Sequence, residues 1–150
     1  MAIITADMKA LIASHSLGYV ATVNADGTPN LSPKATMVAL DDTRIAFGDL
    51  RSPTTVANLK ARPGMEINFI DVFARRGFRF RGTATYANRD SAEFRELLPH
   101  FSAWGDLADS FHGVIVLNVE RALPVSSPAY DHGATEPELR AQWRQKYLDM

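Results

Sequence analysis

Residue types alternate through a nine-residue stretch in the middle of the chain, residues 78–86. One set of alternate positions is apolar or small, and the set between them is Arg or Thr. Successive side chains of a β-strand point to opposite faces, so this period of two predicts a strand with one face in the core. The inward set is Phe78, Phe80, Gly82, Ala84 and Tyr86, and the outward set is Arg79, Arg81, Thr83 and Thr85.

Other short runs rich in Val, Ile, Tyr and Thr also predict strands. They are residues 17–23, 30–40, 44–47, 65–71, 114–119 and 123–130. Gly27 can take a positive φ and predicts a hairpin turn, while Pro33 lacks an N–H and predicts a bulge or a sheet edge. We predict a mainly β fold with flanking helices, in which about six or seven strands form an antiparallel sheet that closes into a small barrel.

Helices are predicted at both ends of the chain and between strands, at residues 5–13, 53–61, 90–98 and 136–148. Thr5 and Asp90 are the predicted caps of the first and third helices. Residues 101–111 are predicted to be irregular or a short helix. A length of 150 residues, without repeats or a linker-like segment, predicts one domain over residues 1–150.

Composition argues against several classes of function. The formal net charge is −1, which gives no global basic field for nucleic acid or an anionic membrane. There is no cysteine, so disulfides, thiolate nucleophiles and cysteine-bound zinc are excluded. The first residues do not read as a signal peptide, and no apolar run approaches a membrane span. We expect a cytoplasmic protein.

No familiar catalytic motif is present. The four histidines are far apart in sequence and have no metal-ligand spacing, so no metal site is expected. A GxSxG elbow, a GxGxxG turn and a P-loop are all missing. If the chain is an enzyme, a bound cofactor is therefore expected to do the chemistry.

Residues 51–55 read as a turn that enters a helix. Ser52 suits the N-cap, and Pro53 suits the first helical position. Thr54 and Thr55 place two hydroxyls beside free amides, and Arg51 precedes them. A helix N-terminus with these groups suits a phosphate, and an ordinary capped helix has the same pattern.

The order of several motifs resembles the pyridoxamine 5'-phosphate oxidase-like flavoproteins. The motifs are residues 26–29, 45–49, 51–59, 62–63 and 75–84, and the resemblance covers residues 17–91. It implies a split β-barrel that binds FMN, built as a homodimer with the flavin at the subunit interface.

The resemblance also implies the binding residues. Ser32, Pro33, Lys34 and Ala35 would lie beside the ring and ribityl chain, and Phe47, Gly48 and Asp49 would touch the flavin from a strand end. Arg51, Ser52, Thr54 and Thr55 match the phosphate turn, and Arg76 matches a loop that reaches the ring from the partner subunit. In the oxidases an Arg-Lys pair stands where Pro53 and Thr54 are, so here Arg51 and Lys34 would supply the charge.

The first hypothesis is an FMN-dependent oxidoreductase that acts on a small-molecule substrate or electron donor. The alternative is a non-catalytic binding protein for a flavin, a deazaflavin or haem. Apolar side chains exceed what one small core needs, which also favours a homodimer. Among them are Phe73, Phe78, Phe80, Trp104 and Trp143.

Overall fold

The computed structural model describes residues 2–150, which contain seven β-strands, four α-helices and two 3₁₀ segments. In chain order these elements are α1 (Ala6–Ser14), β1 (Gly18–Val23), β2 (Pro29–Lys34), β3 (Met37–Ala39), β4 (Arg44–Asp49), α2 (Pro53–Ala61), β5 (Gly64–Asp71), β6 (Arg76–Asn88), α3 (Ala92–Leu97), the first 3₁₀ segment (Leu98–Ser110), β7 (Gly113–Ser126), the second 3₁₀ segment (Pro128–His132) and α4 (Glu136–Leu148). Among these residues, no helix has the length and apolar character needed to cross a membrane.

All seven strands belong to one antiparallel sheet with the order β2-β1-β5-β6-β7-β4-β3. The two outermost strands, β2 and β3, are joined by only two residues, Ala35 and Thr36. A connection this short spans at most about 11 Å, so the two ends of the sheet must come together. The sheet is therefore curled into a half-barrel, and the predicted mainly β, split-barrel fold is confirmed.

Strand β6 shows the predicted alternation. Phe80, Gly82 and Ala84 are buried, while Arg81 and Thr83 are exposed. The inward side chains join one apolar cluster inside the curled sheet, whose buried members include Ile45, Phe47, Ile67, Phe69, Phe80, Ile115 and Leu117. A second cluster packs α3 and the first 3₁₀ segment against the other face, and it includes Phe94, Phe101, Phe111, Val114 and Val116.

Two strand predictions were wrong in their boundaries. Residues 30–40 form two strands rather than one, because the chain leaves the sheet edge at Ala35 and Thr36. Pro33 was predicted to mark a bulge or a sheet edge, and it lies on edge strand β2. Residues 114–130 were predicted as two strands, but Gly113–Ser126 is continuous, and a bulge opposite Arg81 and Gly82 absorbs the irregularity.

The helix predictions agree closely with the structure, but the predicted cap of the third helix was wrong. Thr5 caps α1, and its hydroxyl accepts a hydrogen bond from the amide of Met8. The third helix begins later than predicted, since Ser91 rather than Asp90 is its cap. The Ser91 hydroxyl accepts from the amide of Phe94 at 3.0 Å.

Candidate functional site

A small polar cavity of about 170 Å³ lies between edge strand β2 and the beginning of helix α2. We call it the α2 cavity. Its lining residues are Asn30, Leu31, Ser32, Lys34, Arg51, Ser52, Pro53, Thr54 and Thr55. Strand periodicity explains one wall, because Asn30, Ser32 and Lys34 occupy alternate positions and are half-buried. The other wall is the turn that begins α2.

Ser52 is the most unusual residue of this cavity. It occupies the N-cap position of α2 but, contrary to expectation, its side chain makes no capping hydrogen bond. Its backbone has φ −136° and ψ 42°, outside the extended conformation that directs a cap side chain to the first-turn amides. The residue is 4% exposed, and its Oγ has no hydrogen-bond partner among residues 2–150.

Helix α2 adds hydrogen-bond donors and a partial positive charge. Pro53 has no N–H, whereas the amides of Thr54 and Thr55 belong to the first turn and have no acceptor inside the helix. No acidic residue occupies this first turn. The macrodipole therefore favours an anion at this end of α2.

Two cations flank the cavity. Arg51 is exposed, and the Nζ of Lys34 donates a hydrogen bond to the Arg51 carbonyl at 3.5 Å. Burial lowers the pKa of Lys34, and the carboxylate of Asp49 opposes this effect. Free amides, an unpartnered hydroxyl and two cations form a donor set that fits a phosphate monoester.

Residues 47–49 contribute to the fold rather than to the wall of this cavity. Phe47 is fully buried in the core, and the buried ring of Phe111 covers Gly48. A Cβ on Gly48 would lie 2.2 Å from that ring. The Asp49 carboxylate accepts from the Tyr86 hydroxyl at 2.8 Å. Burial and this hydrogen bond raise the pKa of Tyr86 to about 12.

Comparison with known proteins identifies the family. A family model described as pyridoxamine 5'-phosphate oxidase matches residues 4–126. The chain belongs to the pyridoxamine 5'-phosphate oxidase family. The resemblance stated from the sequence is thereby confirmed. Among curated proteins, none matches the chain.

Solved structures are also similar to this chain. HupZ from Group A Streptococcus is 31% identical with a TM-score of 0.71, and the match covers 83% of this chain and 96% of HupZ. An FMN-binding protein from Syntrophomonas wolfei is 17% identical with a TM-score of 0.65, covering 80% and 84%. HutZ, the haem storage protein from Vibrio cholerae, is 20% identical with a TM-score of 0.64, covering 81% and 94%. The last two similarities concern the fold alone.

The structure brings six of the predicted site residues together in the α2 cavity: Ser32, Lys34, Arg51, Ser52, Thr54 and Thr55. Pro33 and Ala35 are exposed outside it. Sequence reasoning missed Asn30, Leu31 and Pro53 as lining residues. The period of two that places Ser32 and Lys34 on one side of β2 also places Asn30 there, so this signal was available.

Arg76 lies elsewhere in this member of the pyridoxamine 5'-phosphate oxidase family. Its guanidinium stacks 3.5 Å from the centre of the Tyr130 ring, and its Nη1 lies 3.5 Å from an oxygen of Glu136. Both partners belong to the C-terminal residues that follow the matched range. Within one chain Arg76 therefore contacts this C-terminal segment instead of the α2 cavity, and its role at a partner's flavin stays a prediction.

Proposed function

We propose that the chain is an FMN-dependent oxidoreductase whose α2 cavity binds the phosphate of FMN. The observation that carries this proposal is the buried hydroxyl of Ser52, which has no partner among residues 2–150 and lies beside the free first-turn amides of α2. A buried hydroxyl without a hydrogen bond costs free energy, so a ligand oxygen that accepts from it recovers that cost. Membership of the pyridoxamine 5'-phosphate oxidase family supports FMN as the source of that oxygen.

Each residue of the cavity then has a defined task. The amides of Thr54 and Thr55 and the hydroxyl of Ser52 donate to phosphate oxygens, and Arg51 supplies a charge-assisted pair of hydrogen bonds. Lys34, on the opposite wall, holds a positive charge beside the rest of the ligand. When bound, FMN supplies two-electron redox chemistry that no described side chain offers.

Substitution of Arg51 gives a selective test of phosphate binding by the α2 cavity. Charged hydrogen bonds contribute roughly 1.5–3 kcal/mol, and about 1.4 kcal/mol is a factor of ten in affinity. Arg51→Ala should therefore weaken FMN about 10- to 100-fold in a fluorescence titration and leave riboflavin, which lacks the phosphate, nearly unchanged. Arg44→Ala is the matched control, because Arg44 is exposed and pairs with Asp41 away from the cavity.

If Arg51→Ala changes the affinities for FMN and riboflavin equally, this turn does not bind the phosphate. FMN is rejected as the cofactor if the purified protein is not yellow and its Kd for FMN is larger than about 10 μM.

We also propose a homodimer with the flavin at the subunit interface. A cavity of about 170 Å³ accepts a phosphate but leaves the three-ring part of FMN outside it. The outward face of the β1–β2 hairpin beside the cavity carries exposed apolar side chains: Tyr19, Val23 and Leu31, of which Leu31 is 67% exposed. A second copy on this face would cover both the apolar surface and the flavin ring.

Light scattering tests the dimer. We expect a dimer at micromolar concentration, which Val23→Lys dissociates. Leu148→Lys is the control, since Leu148 is exposed on α4 at the C-terminal end of the chain. A monomeric wild-type protein that still binds FMN would contradict the proposed interface.

A non-catalytic binding protein is the second candidate. Two observations favour it: no catalytic motif is present in the sequence, and the fold is shared with the haem storage protein HutZ. Extraction of the purified protein followed by mass spectrometry identifies FMN, a deazaflavin or haem. Steady NAD(P)H-dependent turnover with an electron acceptor would exclude the storage role.

A further inference from the structure

A second and larger cavity lies where the ends of the central strands β5, β6 and β7 meet helices α1 and α4. Its volume is about 640 Å³, and we call it the α4 cavity. Helix α1, the adjoining ends of β5, β6 and β7, and the first five residues of α4 contribute to its walls. It shares no lining residue with the α2 cavity. Of its fourteen lining residues, only Glu136 and Arg140 of helix α4 follow the residues that the family model matches.

Five charged side chains line the α4 cavity, three acidic and two basic. The acidic Asp71 is buried and fully engaged, because it accepts from the amides of Phe73 and Ala74 and from Arg140 Nη2 at 2.6 Å. This carboxylate therefore has a structural role, as the anchor of α4.

Glu136 is the exchangeable member of the set. It is 41% exposed and lies between two guanidiniums, with an oxygen 3.5 Å from Arg76 Nη1 and another 2.9 Å from Arg140 Nη2. Ion pairs this exposed contribute little, so Glu136 can turn into solvent at low cost. The two guanidiniums then face the cavity with donors that match a carboxylate.

Apolar side chains form the rest of the wall. Leu11 from α1, Phe78 from β6 and Val125 from β7 are half-buried and border the cavity. An apolar ligand body that covers these side chains removes further apolar surface from water. The cavity thus combines an anion site with an adjacent apolar surface.

We propose that the α4 cavity binds an amphipathic monocarboxylate. The ligand's carboxylate replaces that of Glu136 between Arg76 and Arg140, and its apolar body covers Leu11 and Phe78. Charge balance favours a monoanion, because it replaces one negative charge with another. A phosphate dianion would add a second charge to a wall that already holds Asp7 and Asp71.

The test is a titration of the full-length chain with octanoate, followed by protein NMR. We expect saturable shifts confined to residues around the α4 cavity, with 1-octanol binding at least tenfold more weakly. Arg76→Gln should weaken octanoate about tenfold. Equal affinities for octanoate and 1-octanol, or tighter binding of octyl phosphate, would overturn the proposal.

A matched pair of variants distinguishes replacement of the Glu136 carboxylate by the ligand from a simple effect of net charge. Glu136 and Asp7 are both acidic residues in the first turn of a helix, and both line the cavity. Glu136→Gln should tighten octanoate several-fold, because it removes the competing carboxylate, and Asp7→Asn should not. The same change in both variants would refute the exchange. Neither Glu136 nor Asp7 lines the α2 cavity or is expected at FMN, so this comparison is independent of whether FMN binds. Arg76 is also expected at the partner's flavin, so the FMN affinity of Arg76→Gln is measured separately.

Discussion

Replacing Ser52 by Ala should stabilise the ligand-free protein and weaken FMN at the same time. The hydroxyl is buried and has no partner among residues 2–150, so folding removes it from water without a compensating hydrogen bond. An unsatisfied buried polar group of this kind costs about 1–3 kcal/mol. The alanine leaves a gap of one oxygen atom, which costs less than the roughly 1 kcal/mol of a lost methylene. We therefore expect a net gain of about 1 kcal/mol in the free energy of unfolding.

Ser91→Ala is the matched control for this substitution. Ser91 is also an N-cap serine, but its hydroxyl accepts from the amide of Phe94 and donates to the carbonyl of Asn88 at 2.7 Å. Its loss should cost about 1–2 kcal/mol. Urea unfolding of both ligand-free variants measures the difference, as opposite shifts of the midpoint at an unchanged slope.

The FMN titration supplies the second half of the test. If the Ser52 hydroxyl donates to the phosphate, its removal costs about 1.5–3 kcal/mol of binding, or about 10- to 100-fold in affinity. A Ser52→Ala protein that unfolds at lower urea, as Ser91→Ala should, would show that the hydroxyl is a satisfied cap in solution. An unchanged FMN affinity would show that the Ser52 hydroxyl does not contact FMN.

Two further predictions concern the fold. Gly48→Ala should destabilise the protein by about 3 kcal/mol in urea unfolding, because the new Cβ overlaps a buried ring. Gly64→Ala is the control: its Cβ would have no atom within 4 Å, so its stability should be within about 0.5 kcal/mol of wild type. Burial raises the pKa of Asp71, but hydrogen bonds from Ala74 and Arg140 outweigh it and hold the pKa below its ordinary value. The ionised Asp71 carboxylate therefore stabilises the fold above about pH 4, and this stabilisation is lost as the pH falls further. At pH 7 the free energy of unfolding of Asp71→Asn should be about 2 kcal/mol below that of wild type, and this difference should shrink when unfolding is measured at lower pH. A constant difference from pH 7 to pH 3 would contradict this account.

Local sequence patterns predicted the elements well because local forces decide them. The alternation that ends at Tyr86 identified β6, and the hydroxyl at Thr5 marked the start of α1. The break at Ala35 could not be found in the same way, because it arises where the two ends of the curled sheet meet. That closure depends on the pairing of every strand.

The candidate site was predictable to the extent that it is local in sequence. Turn residues next to Ser52 were found from capping chemistry, although the backbone angles at Ser52 itself direct the hydroxyl away from the cap. Arg76 was expected at the partner subunit's flavin, which stays a prediction, and within the chain it stacks on Tyr130. Residues fifty-four apart in sequence meet there through the packing of the C-terminal segment, which no short pattern encodes.

The junction of the two sheet edges has a consequence for the evolution of the fold. Within the described residues, β2 pairs only with β1, so the backbone N–H and C=O groups of its other edge belong to no hydrogen-bond ladder. The largest buried side chains lie elsewhere, mostly on the central strands. If the proposed phosphate site is correct, changes at Ser32 or Lys34 can alter the ligand without removing any of these large buried side chains. A split barrel whose proposed binding groups lie on an edge strand can change its ligand while its core is kept, and the same fold occurs in an FMN-binding protein and a haem storage protein.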